Sequence, residues 1–112
     1  MRKERSAKSD QAVGIDMILH VVEAKYLGGY RVEVGFNDGK RGVADLTEAI
    51  KGGIFEKLKD ESEFARFVVD PELDTLVWEN GADLAPEYIY YQAFKDDLSL
   101  QGLFRDWGYL AK

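Results

Sequence analysis

Tyr30, Val32, Val34 and Phe36 alternate with Arg31, Glu33 and Gly35, the period-two pattern of a strand with one buried face. Asn37-Asp38-Gly39 follows and signals a hairpin turn, so residues 40–46 read as the returning strand. Upstream, residues 18–26 read as a first strand. Val22, Ala24 and Tyr26 would share one face there, and Val21, Glu23 and Lys25 the other. Leu27-Gly28-Gly29 turns the chain between the first two strands, because paired glycines reach positive φ at little cost. The three segments predict an antiparallel meander.

The pattern then shortens. Residues 47–50 predict a helical turn stopped by Gly52-Gly53, and Ile54, Phe55 and Leu58 space an apolar stripe over another. Residues 60–67 predict a short helix with Ser62 as N-cap and with Phe64 and Phe67 inward at i, i+3. Residues 67–70 and 75–79 predict a second hairpin around Pro71-Glu72-Leu73-Asp74, where proline pre-sets φ and cannot enter a ladder. In WENGADLAPEYIYYQ, Trp78 closes a strand, Asn80-Gly81 turns the chain, and Pro86 suits the first position of a helix running to about Phe94. Glu87 lies in the first turn of that helix, favourably placed in its dipole. Asp83 is expected to accept backbone N–H bonds ahead of the helix. Leu100, Leu103, Phe104 and Trp107 form an i, i+3, i+4, i+7 stripe ended by Gly108. The fold class expected is α+β: a three-stranded antiparallel meander, a second β-hairpin, short intervening helices and C-terminal helices.

Composition fits this picture and narrows the chemistry. A chain of 112 residues, 46% hydrophobic and 12% aromatic, suits one globular domain. Residues 1–14 read as a mobile polar arm and 15–112 as the domain, with 92–112 an amphipathic tail. The absence of cysteine removes disulfides, thiolate ligands and cysteine nucleophiles, and suits a reducing cytoplasm. The longest apolar runs fall far short of the ~20 residues of a membrane span. The formal net charge is −6. Residues 1–16 hold four cations and three carboxylates, so the rest carries −7. Such a body repels phosphate backbones, and no nucleic-acid partner is expected.

GFNDGKRGVADL, GGIFEKLKD and TLVWENGADLAPEYIY occur in that order and resemble domain of unknown function family 2442, a family of small bacterial domains. The resemblance covers roughly residues 18–91 and is strongest from Trp78 to Tyr90. It implies an antiparallel-sheet α+β fold and no established catalytic activity. It also implies kinship with members that are antitoxin-like or that pair with small neighbouring proteins. Other members carry a helix-turn-helix domain after this one. Only about twenty residues follow the shared blocks here, too few for that domain.

Candidate chemistry is sparse. Glu79, Asp83 and Glu87 stand four apart, but Asn80-Gly81 and Pro86 prevent one helix from aligning them. Their spacing is therefore read as turn and capping use, with a carboxylate-rich pocket near residues 78–87 as the enzymatic or ligand-binding alternative. His20 is the only histidine and cannot build a multi-histidine metal site. Ser6, Ser9, Ser62 and Ser99 lack a nucleophile-elbow context. Asp38, Asp45 and Asp83 lack EF-hand spacing, and the glycine pairs match no phosphate loop. No catalytic residue, metal or cofactor is expected. The expectation is a non-enzymatic protein-interaction module, antitoxin-like or self-associating, with a basic partner favoured. Its candidate binding surface is Trp78, Glu79, Asp83, Glu87, Tyr88 and Tyr91. Its candidate homo-oligomer interface is Leu100, Leu103, Phe104 and Trp107.

Overall fold

A computed structural model describes residues 18–110; the polar arm expected over residues 1–14 lies outside them. Strands β1 (Val21–Gly28), β2 (Arg31–Phe36) and β3 (Arg41–Asp45) form one antiparallel sheet in the order β1-β2-β3. Strands β4 (Val68–Asp70) and β5 (Thr75–Val77) form a second, two-stranded sheet. Helices α1 (Glu61–Phe64), α2 (Pro86–Phe94) and α3 (Gln101–Trp107) complete the architecture with 3-10 turns at Thr47–Ala49, Gly53–Lys59 and Leu98–Leu100. The fold is α+β with the expected meander, second hairpin and C-terminal helices.

The inner face of the large sheet carries Val32, Val34, Phe36 and Ala44, all buried. Phe64 of α1 packs beneath one end, edge-on to Tyr30 at 5.2 Å. Tyr90 of α2 packs beneath the other, edge-on to Phe36 at 4.9 Å. Gly42 lies opposite Val34 in β3. A Cβ there would stand 2.7 Å from Cε1 of Phe94 and 3.3 Å from the Ala93 carbonyl oxygen, so the missing side chain is what admits the end of α2. The outer face is charged: Arg41 pairs with Glu23 and lies 3.9 Å from Glu33.

The structure revises three local expectations. β1 begins at Val21, and its phase is inverted at the start: Val21 is 2% exposed and Val22 53%. The pairing steps from Val21↔Phe36 to Glu23↔Gly35, a bulge whose extra residue, Val22, turns Val21 onto the face of Ala24 and Tyr26. Asp60 caps α1 rather than Ser62; its carboxylate accepts both the backbone N–H and the hydroxyl of Ser62. α2 begins after an extended Ala85 with no side-chain cap, and no hydrogen bond to the Asp83 carboxylate occurs among the described residues. Asp83 instead bridges Val77 through its backbone.

The second hairpin is built as its turn residues suggest. The Asp70 carboxylate accepts from the N–H groups of Glu72 and Leu73, and Asp74 takes φ 59°. Beyond β5, Asn80 grips the next turn from both ends. Its amide donates to the Ile54 carbonyl at 2.8 Å and its oxygen accepts from the Ala82 N–H at 3.1 Å. No helix among the described residues is long and apolar enough to cross a membrane.

Candidate functional site: a tyrosine patch beside two carboxylates

α2 sets the first half of the site. Its buried residues are Ile89, Tyr90 and Gln92. Tyr88 and Tyr91, three residues apart and so neighbours on the helix surface, remain partly exposed beside Glu87. Gln92 anchors the pair from below, donating its amide to the Tyr88 hydroxyl at 3.1 Å. Tyr90 points the other way and donates its hydroxyl to Asp38 at 2.7 Å, tying α2 to the β2–β3 turn. Burial, and then that bond, push the Tyr90 phenol well above its ordinary range.

α3 supplies the other half by the way it ends. Gly108 takes the left-handed conformation at φ 92°. Its N–H reaches the Arg105 carbonyl, and the N–H of Tyr109 reaches the Phe104 carbonyl, the two bonds of a Schellman motif. This reversal lays Tyr109 back on α2. Its ring stacks on Tyr91 at 4.9 Å and 21° and meets Tyr88 at 6.0 Å. Phe104 supports Tyr91 edge-on at 5.1 Å. Three partly exposed tyrosines thus form one continuous aromatic surface.

Burial raises the Tyr88 phenol above its usual value, outweighing the Gln92 hydrogen bond, and the nearby Glu48 carboxylate and Tyr91 add to the shift. Burial likewise raises Tyr109, helped by Glu87 and Tyr88. Tyrosine acting as base or nucleophile needs the opposite shift. The Tyr88 and Tyr109 rings thus stay neutral, within the field of the Glu48 and Glu87 carboxylates.

The other residues singled out in the sequence are dispersed. Trp78 is 4% exposed. Its indole N–H donates to the Phe64 carbonyl at 2.8 Å, so it serves the core and presents no binding surface. Glu79 is exposed and lies 3.7 Å from Arg66. Asp83 is exposed on the following turn, and Glu87 stands on α2. Glu79 lines a cavity of about 10 Å³ with Lys57, Leu58, Glu63, Arg66, Trp78 and Asn80, room for about one water. His20 lies 3.3 Å from Asp74. No group of three or more acidic, histidine or cysteine side chains among the described residues could hold a metal ion. Of the tail stripe, Phe104 is fully buried within its own chain, Leu100 and Trp107 pack against the core, and Leu103 is 37% exposed. Tyr109 and Glu48 were not anticipated. The signal for Tyr109 was the Gly108 stop, since a Schellman motif folds the next residue back on its helix.

The family model described as "Protein of unknown function (DUF2442)" matches residues 21–95. The chain belongs to this family. Tyr88 and Tyr91 fall inside the matched segment and Tyr109 beyond it. No curated protein matches the chain. A crystal structure of NE0471 from Nitrosomonas europaea, a candidate DNA-binding protein, superposes with a TM-score of 0.65 at 14% identity. The superposition covers 88% of this chain and 66% of that one. The present chain therefore spans about two thirds of its neighbour, and at that identity the likeness is one of fold.

Proposed function

We propose that this member of the DUF2442 family is a non-enzymatic protein-interaction module. The observation that carries the reading is the patch of Tyr88, Tyr91 and Tyr109. Tyrosines bury large area at low entropic cost and are enriched where proteins bind each other. A partner laid across the patch would cover aromatic surface that α2 and α3 already hold rigid, so little further ordering opposes association. The acidic body favours a basic partner by steering. The antitoxin-like and self-associating versions differ only in who the partner is. A cysteine-free chain suits the cytoplasm.

The alternative, an enzyme or small-ligand domain using carboxylates near residues 78–87, draws little support from Glu79 and Asp83 pointing to solvent. DNA binding, suggested by the neighbour's name, is disfavoured by a net charge of −6. The test is reconstitution. Proteins encoded beside the gene are purified and titrated calorimetrically against the wild type and Tyr91→Ser. A saturable complex weakened at least about tenfold by the substitution is expected. Binding indifferent to Tyr91, or no protein complex but a turnover reaction, would contradict the reading.

A further inference from the structure

We propose that the tyrosine patch reads arginine: a partner segment lays a guanidinium against the rings of Tyr88, Tyr91 and Tyr109 and turns its N–H groups toward Glu87 and Glu48. This rests on the interaction-module reading and specifies what the partner must carry. Aromatic rings attract cations through their quadrupole. Stacked and edge-on rings, at 4.9 Å and 6.0 Å, offer such a surface over more than one residue. Among the described residues, neither Glu48 nor Glu87 has a cation within 4 Å, as is also true of Glu61 and Glu72.

Burial is the main reason the Tyr88 and Tyr109 phenols are raised; Glu48 and Glu87 add a smaller contribution, of the sign that favours an added positive charge. Arginine fits better than lysine. Its planar guanidinium can stack on a ring while its edge donates two hydrogen bonds to a carboxylate, whereas an ammonium is a compact, strongly hydrated charge. The cavity beside Trp78 offers no comparable site, because its cations, Lys57 and Arg66, already face Glu63 and Glu79.

The test uses the whole chain and a defined probe, the capped peptide Gly-Arg-Gly-Arg-Gly, with lysine and citrulline versions as controls. Aromatic proton–carbon NMR spectra follow the tyrosine rings during titration. The arginine peptide should move the signals of Tyr88, Tyr91 and Tyr109 saturably. The lysine peptide should bind about threefold more weakly, and the citrulline peptide should leave the rings unmoved. Tyr109→Phe should retain the response; Tyr109→Ser and Glu87→Gln should weaken it, with the amide spectrum confirming the fold. Equal responses to arginine and citrulline, or a response that survives Tyr109→Ser, would overturn the proposal. A protein partner that needs Tyr91 while the arginine peptide leaves the rings still would overturn it too, yet leave the interaction-module reading standing.

Discussion

At Gly42 a hydrogen is the largest side chain the packing admits, because the Phe94 ring occupies the place of a Cβ. Gly42→Ala should therefore destabilise the fold by about 1–3 kcal/mol, read as a lower urea midpoint with an unchanged slope. A surface alanine substitution would move the midpoint far less. A second residue-scale feature concerns acid. Asp45, Asp60 and Asp97 each accept the N–H and hydroxyl of a Thr or Ser two residues on, and those bonds hold all three carboxyls below their usual value of 3.8. A carboxyl depressed on folding stabilises the protein above its unfolded pKa, and the contribution is lost as pH falls through the folded one. Stability should thus hold near neutrality and decline below about pH 4. The Asp45→Asn, Asp60→Asn, Asp97→Asn triple variant should show a shallower decline in urea titrations carried out below about pH 4. These caps are written in the sequence as Asp-Leu-Thr, Asp-Glu-Ser and Asp-Leu-Ser. They were misread at Ser62 because aspartate and serine are both good caps, and only the backbone tells which of the two precedes the helix.

At the scale of elements, β2 was legible because its alternation is unbroken and both its neighbours pair with it. β1 was legible as a strand but not in phase, since a bulge is a property of two strands and leaves no mark in one. The tail stripe was legible as amphipathic, yet a stripe does not say what covers it. The structure answers with Phe104, set among Tyr90, Tyr91 and Trp107. The four stripe residues should therefore separate on substitution. Phe104→Ala should cost about 3–5 kcal/mol as a buried aromatic lost from the core. Leu103→Ala, on the exposed side of α3, should change stability by no more than about 0.5 kcal/mol. Thermal unfolding of the two variants checks both, and similar losses would mean that the stripe is not divided between core and solvent.

Across the whole molecule, the charged outer face of the sheet and the aromatic surface where α3 returns to α2 are different kinds of surface. The sheet face holds cross-strand pairs such as Arg41 with Glu23, which are solvated and contribute little. The patch holds neutral rings beside carboxylates. Half of the patch, Tyr88 and Tyr91 with Glu87, could be picked out along one helix. The rest could not, because Tyr109 arrives through a left-handed glycine and Glu48 from a turn forty residues earlier in the chain. Juxtaposition of that kind belongs to tertiary structure. Hydrogen exchange of the chain alone and in complex with its reconstituted partner tests the central claim most directly. Slowed exchange concentrated at residues 87–92 and 108–110, with the sheet strands unchanged, is the result predicted. Slowing confined to the strands or to the cavity beside Trp78, with the end of α3 unaffected, would contradict the account.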